Sequence, residues 1–314
     1  MVTRAKKSVP AEPEGVDAEA VLANYAGWLE RQPLATRSRD AYLAQVRGFL
    51  TWLTGSEHGP QALVDPHVRD WAVRDYKRHV KTAKRWAPAS VNQALAAIDN
   101  FYRSVAAGRP EVLREELAQV APRSLGEADQ RRFLRIVEAS PSARDRAMAT
   151  VFFYAGLRLS ELAALDMADV EMSARRGRLT VRTGKGDAYR EVPLNSASRR
   201  ALDEWFEART DQLAAVAEAG GEGATSALWL SRSGRRMTSR AVDMVVRRLA
   251  TEAKLELSAH ILRHTFVTNL IRSGADVVLV AEIAGHRRLD TTRRYSLPSQ
   301  ADKDAAVEAV LVEI

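Results

Sequence analysis

The sequence contains no cysteine, which removes disulfides, thiolate metal sites and cysteine nucleophiles together. It has no apolar run near the roughly 20 residues that a bilayer-spanning helix needs. A secretory signal is missing too: residues 1–15 are basic, then acidic, with two prolines and no apolar core. They read as a disordered lead-in to a cytoplasmic protein with no membrane partner. Negative charge is in deficit, with 40 Asp and Glu against 47 Lys and Arg, for a net charge of +7. That excess points to a polyanionic partner, of which nucleic acid is the commonest. What the chain does have is core-forming material. Its 314 residues, 46% hydrophobic and 28% charged, suffice for two ordinary globular domains.

Helical periodicity dominates. Val21, Leu22, Tyr25, Trp28 and Leu29 recur at helical spacing until Pro33 interrupts. Thr36 is placed to cap a second helix with Tyr42, Val46, Phe49, Leu50 and Leu53 inward. Residues 65–80 form a third helical stretch. Ser90 is placed to cap a fourth, with Val91, Leu95, Ile98 and Phe101 inward, before Gly108 and Pro110 break the pattern. Residues 16–110 thus predict a helical bundle, and 111–122 a linker. Residues 123–298 predict a second, mostly helical domain, opened by a capping box from Ser124 to Glu127. An apolar helix from Ala143 ends at Gly156. Residues 178–182 and 189–192 are β-rich around the turn-forming Gly184 to Asp187, predicting a small antiparallel hairpin. Residues 299–314 predict a short amphipathic helix with Ala305, Val307, Val310, Leu311 and Ile314 available to bury. The fold class is mainly α, a helical bundle followed by a mostly α domain with a small antiparallel sheet.

Three of the six histidines fall between His260 and His286, with Arg263 between the first two and Tyr295 beyond the last. Guanidinium is planar, permanently charged and forks onto two oxygens, so two arginines suit a phosphate. Imidazole can donate a hydrogen bond or move a proton. A tyrosine needs activation to attack phosphorus, and the sugar oxygen it displaces needs a proton donor. Lys185 in the hairpin and Arg158 after the apolar helix complete a set of parts for phosphoryl transfer without a metal or other cofactor.

These residues stand in Ala155-Gly-Leu-Arg158-Leu-Ser-Glu161-Leu, in Gly184-Lys185-Gly186, in His260-x-x-Arg263-His264-Thr265, in Gly285-His286 and in Thr291-Thr-Arg-Arg-Tyr295. In order and spacing they resemble the tyrosine recombinase, or phage integrase, family from about Ser124 to Pro298. The N-terminal helices resemble that family's core-binding domain in character. Met167 stands where the family often has Trp, and Ala284 where it often has Leu; both are packing positions.

The resemblance implies a site-specific recombinase that works through a 3′-phosphotyrosyl intermediate and a Holliday junction. Tyr295 would be the nucleophile. Arg158 and Arg263 would bind the scissile phosphate, and Lys185 would protonate the leaving oxygen. His260 would be the base for Tyr295, and His286 would bond the phosphate or pack on the nucleophile. Glu161 would orient its neighbours, and His264 would support its helix from within.

The partners implied are double-stranded DNA with an inverted-repeat site and a homotetramer on two such sites, with the tail docked into a neighbouring protomer. The two domains would clamp the duplex. Fewer than 20 residues precede the first helix, so no arm-site domain is expected ahead of it. Candidate DNA contacts are Arg37, Arg39, Ser90 and Asn92 on the helical domain. Lys81, Lys84 and Arg85 lie in the acid-free stretch 77–85, and Arg235, Arg236 and Arg240 in the acid-free stretch 231–240.

Three other readings compete. A type IB topoisomerase shares the chemistry. A zinc hydrolase would use His260 and His264 at i, i+4, but it lacks the intervening Glu and a third ligand. A non-enzymatic DNA-binding regulator has no need of the full set from Arg158 to Tyr295.

Overall fold

The computed structural model describes residues 17–117, 122–182, 189–221, 225–286, 289–293, 295, 297, 304 and 307. The chain divides into two compact units, residues 1–118 and 119–314. The expected lead-in, the Lys185 turn and nearly all of the tail helix lie outside the described residues. Of the tail, Asp304 and Val307 are helical and exposed.

The first unit is built from α1 (Ala18–Glu30), α2 (Thr36–Thr54), α3 (Pro66–Thr82) and α4 (Pro88–Ser104). Its core is made by the faces that the periodicity marks: Leu22, Tyr25 and Leu29; Val46, Phe49, Leu50 and Leu53; Val91, Leu95, Ile98 and Phe101. Tyr25 meets Phe101 edge-on at 5.4 Å, and its hydroxyl donates to Asn100 Oδ1 at 2.7 Å. Two expected caps are not caps. The extended residues before α2 and α4 are Ala35 and Ala87, and neither makes a side-chain cap. Thr36 is already helical, and Pro88 presets the first turn of α4, leaving Ser90 inside the helix. Asp65 does cap α3, accepting from the amides of His67 and Val68. Residues from Glu111 to Glu115, expected in the linker, are fastened to this unit. Asn92 exchanges two 2.8 Å hydrogen bonds with the backbone of Glu115, and Arg114 reaches Asp99 at 2.5 Å.

The second unit comprises α5 (Glu127–Ala139), α6 (Ala143–Ala155), α7 (Leu159–Ala164), β1 (Val170–Met172), β2 (Gly177–Arg182), β3 (Tyr189–Pro193), α8 (Ser196–Glu218), α9 (Ser239–Glu252), α10 (Ala259–Arg272), α11 (Val277–Ala284) and α12 (Leu289–Arg293). Helix α5 starts after extended Gly126, so Ser124 is not its cap. Helix α6 is buried almost all round, which is why its apolar residues show no one-sided face. It ends at Gly156, at φ +58°, where a Cβ would fall 2.0 Å from the Phe266 ring; both conformation and space require glycine.

The strands form an antiparallel sheet in the order β1-β2-β3, with Leu179 opposite Val192 and Val181 opposite Arg190. Strand β1, three residues long, is too short for a period-2 signal and was not expected. Cross-strand partners share a face. Arg190 therefore lies on the side of the sheet that carries the buried Leu179, Val181 and Val192.

Candidate active site

The α6–α7 junction, one face of α10, the end of α11 and Tyr295 beyond α12 supply the site in the second unit. The chain leaves α6 at Gly156, buries Leu157 completely and presents Arg158 as the extended residue before α7. Glu161, three positions on, reaches back to the Arg158 amide at 2.8 Å, as in a capping box. The same carboxylate receives Arg158 Nη1 at 2.6 Å, while Arg158 Nη2 donates to the Gly285 carbonyl at 2.8 Å.

Helix α10 carries His260, Arg263 and His264 at i, i+3 and i+4, hence on one face. Arg263 is buried. It donates at 2.5 Å to the carbonyls of Gly156 and Ala284, the ends of α6 and α11. Ala284, where the family often has Leu, is itself fully buried. Burial, then the neighbouring Arg158 charge, lowers the Arg263 pKa to about 10. Arg263 remains charged at neutral pH, but with a guanidinium short of solvation.

Tyr295 is buried, with its hydroxyl hydrogen-bonded to Nδ1 of His264. Its ring lies 5.2 Å from that imidazole and 6.0 Å, nearly parallel, from His286. His264 thus faces the tyrosine and does more than brace its own helix. The His260 ring stands edge-on to His264 at 4.0 Å. Burial of its ring, then the Arg263 charge, pushes the His260 pKa down. His286 shares a 2.8 Å hydrogen bond with Thr292 Oγ1. Burial, then the charges of Arg263, Arg158 and Arg190, lowers its pKa to about 4, so it is neutral at pH 7.

The structure therefore brings Arg158, His260, Arg263, His286 and Tyr295 into one cluster. Lys185 lies outside the described residues. One participant, Arg190, was not expected. Its guanidinium grips both oxygens of Glu161 at 3.1 and 2.8 Å, and its Nε donates to the Ile283 carbonyl at 2.9 Å. Strand alternation carried the signal: Arg190 is two residues before the inward Val192. Burial raises the pKa of Glu161, but the hydrogen bonds from Arg190 and Arg158 outweigh it and hold the carboxyl at about 2. Three guanidiniums and one carboxylate leave the cluster positive, the state suited to an incoming phosphate. The zinc alternative gains nothing here. Among the described residues, the side chains close enough to share an ion are Glu57, His58 and Asp75 of the first unit.

The candidate DNA contacts separate into two groups. Arg37, Lys84, Arg85, Ser90, Arg235 and Arg240 are exposed, as are Lys81 and Arg236 despite their ion pairs. Arg39, Lys81, Asn92 and Arg236 are engaged within the protein. Arg39 donates to the Gln32 carbonyl, Lys81 pairs with Glu115 at 2.8 Å, and both amide atoms of Asn92 hold the Glu115 backbone. Arg236 donates at 3.0 Å to the carbonyls of Ala164 and Leu165, closing the end of α7, and pairs with Asp166.

The phage integrase family model matches residues 123–301, and the phage integrase N-terminal SAM-like domain model matches 22–109. A tyrosine recombinase XerC of Myxococcus xanthus is 33% identical over 238 residues, spanning 72% of this chain and 76% of its own length. One from Corynebacterium efficiens is 34% identical over 244 residues, spanning 74% and 72%. Among solved structures, the XerH site-specific recombinase bound to palindromic difH substrate superposes with a TM-score of 0.73 at 17% identity, covering 96% of this chain and 98% of that one. A lambda integrase dimer bound to a COC′ core site gives 0.64 at 15% identity, covering 94% and 99%. Those identities speak for a shared fold; the sequence matches across both units carry more, and by them the chain belongs to the phage integrase family of tyrosine recombinases.

Proposed function

We propose that this recombinase cuts and rejoins DNA at an inverted-repeat site, with Tyr295 as the nucleophile. Its oxygen attacks the scissile phosphorus, forming a 3′-phosphotyrosyl bond as the bond to the 5′ oxygen breaks. Arg158 and Arg263 hold the non-bridging oxygens and neutralise the charge that grows on them. The tyrosine proton passes to the His260–His264 pair: His264 is bonded to the hydroxyl, and His260 is held towards its neutral, accepting form. Lys185 delivers a proton to the departing 5′ oxygen. His286, neutral, donates to the phosphate or packs on the tyrosine. Attack by a 5′ hydroxyl from a second duplex reverses the step, exchanges strands and builds a Holliday junction. The phosphodiester bond energy is kept throughout, so neither ATP nor a metal is needed.

The single observation that carries this reading is a cluster of three guanidiniums with one carboxylate, packed against a tyrosine hydroxyl already bonded to an imidazole. The reaction takes place in the cytoplasm, on a homotetramer holding two sites. The half-exposed Leu279 of α11 lines a groove with Met172, Leu194 and Ile283, which Glu171, Arg176, Arg178, Glu191 and Glu282 also border. That groove, with apolar side chains between charged ones, suits the amphipathic tail of a neighbouring protomer. Removing residues 300–314 is then expected to leave DNA binding intact and to stop strand exchange.

The test starts from a pool of duplexes with randomised half-sites. Wild-type protein in EDTA is expected to capture a subset covalently, and the captured duplexes to share an inverted repeat. Tyr295→Phe is expected to bind the same duplexes and capture none. Adducts that survive in Tyr295→Phe, or a wild type that captures nothing with or without EDTA, would dismiss the mechanism.

A further inference from the structure

We infer that Arg190 is a positioning residue of the recombination site, holding Arg158 through Glu161 and fixing the end of α11 that presents His286. The inference rests on the phosphotyrosyl reading above and adds a residue that none of the five sequence boxes contains.

The Arg190 side chain is only 9% exposed, so it is not built to meet DNA directly. It leaves β3 from the sheet's buried face, opposite Val181. Its terminal nitrogens fork across both oxygens of Glu161, and its Nε binds the Ile283 carbonyl in the last turn of α11. Three separate elements therefore converge on one side chain: a strand, the start of α7 and the end of α11. Lys has a single ammonium and cannot reproduce that planar, multidentate geometry.

Glu161 is the intermediary. It touches Arg158 at both the amide and the guanidinium, so its position sets where Arg158 points. Left with Arg158 alone, it could swing with that more exposed side chain. Clamped by Arg190, it cannot. Gly285 shows how closely the parts are fitted. A Cβ there would lie 2.8 Å from Arg190 Nη1, and φ is +66°, so a side chain would strain the backbone and push the Arg190 guanidinium from its place. The Gly285 carbonyl also receives Arg158, so the α11 end and the guanidinium move as one piece. In-line attack tolerates little displacement, and an error near 1 Å costs roughly 100-fold in rate.

The experiment uses the full chain and a duplex captured by the wild type, resynthesised with a nick beside the scissile bond so that adducts accumulate. Single-turnover adduct formation, duplex affinity and melting temperature are measured for Arg190→Gln, Arg190→Lys, Glu161→Gln and the double variant Glu161→Gln/Arg190→Gln. Arg190→Gln is expected to bind within about threefold of wild type and to cleave roughly 30- to 100-fold more slowly. Arg190→Lys is expected to recover only part of that loss. The double variant is expected to be no slower than the slower single variant, because both changes break one linkage. Cleavage by Arg190→Gln within threefold of wild type overturns the inference, and so do losses that multiply in the double variant. If every Arg190 variant melts so early that duplex binding is lost, Arg190 is a stability residue only and the inference also fails. A wild type that captures no duplex at all defeats the recombinase reading itself, a different result from any of these.

Discussion

Positive charge is arranged differently in the two units. In the first, the basic stretch that stands out in the sequence is largely matched. Lys77 and Lys81 share Glu115 at 2.7 and 2.8 Å, Arg78 meets Asp75 at 2.8 Å, and Arg109 and Arg114 share Asp99 at 3.0 and 2.5 Å. In the second, Arg158, Arg190 and Arg263 come from three distant segments, and one carboxylate, bonded to the first two, stands among them. A run of lysines in one dimension therefore overstates the charge open to a ligand. Scattered arginines that fold onto one point understate it. Where charge is matched it holds the protein together; where it is in excess, burial has been imposed at a cost that a phosphate can offset.

The sharpest way to break that contrast is to remove a cation from each side. Arg263→Gln is expected to slow adduct formation by about 100- to 1,000-fold, the usual scale for losing one preorganised donor to a transition state. Lys77→Gln should leave the rate within about twofold of wild type. Equal losses would mean that the two clusters do not differ in kind.

Acid should separate the units next. The folded pKa of Glu161, about 2, lies below its ordinary 4.5. Its contribution is therefore complete above pH 4.5 and is lost as pH falls towards 2, worth on the order of 3 kcal/mol. His286 acts in the same direction. With a folded pKa of about 4 against 6.5, it resists a proton that the unfolded chain accepts, so stability falls as pH drops from 6.5 to 4. Melting followed by tryptophan fluorescence should show the second unit weakening from pH 6.5 downwards. His286→Asn should flatten the part between pH 6.5 and 4. An unchanged slope in that variant would place the sensitivity elsewhere.

How far these features could be read in advance depends on whether they are local. Helix faces are local, so Leu22 to Leu29 and Val91 to Phe101 marked the first core from periodicity alone. Five boxes with chemically rare contents marked the site. Caps failed at Thr36, Ser90 and Ser124 because a cap is a backbone conformation set by the incoming chain as well as a residue type. Ala35, Ala87 and Gly126 took that conformation instead. The contact of His264 with Tyr295 and the grip of Arg190 on Glu161 bridge 31 and 29 residues, beyond any periodic signal.

The neighbours Arg235 and Arg236 carry the comparison into a single dipeptide. Arg235 is exposed and makes a long 3.4 Å contact to Ser233, whereas Arg236 closes the end of α7. Arg235→Ala should lower the slope of log affinity against log salt by about 1 and leave melting unchanged. Arg236→Ala should spare the slope and lower melting by roughly 2–6 °C, since carbonyls at a helix end lose a charged donor. Reversed outcomes would reassign both residues.

The smallest expected effect tests the first unit from the opposite direction, by freeing cations instead of removing them. Glu115→Gln takes away the charge that Lys77 and Lys81 share but keeps the backbone bonds from Asn92 that fasten this segment. If the face from Lys77 to Arg85 lies along DNA, two released ammoniums should displace up to two more counterions. The salt slope should then steepen by about 1–2 and low-salt affinity should rise several-fold, while the cleavage rate of bound duplex stays the same. If the slope does not move, the face is turned away from the duplex. The conspicuous run from Lys77 to Arg85 would then be a matched structural stripe, and the first unit's grip on DNA would fall to Arg37 and the start of α4.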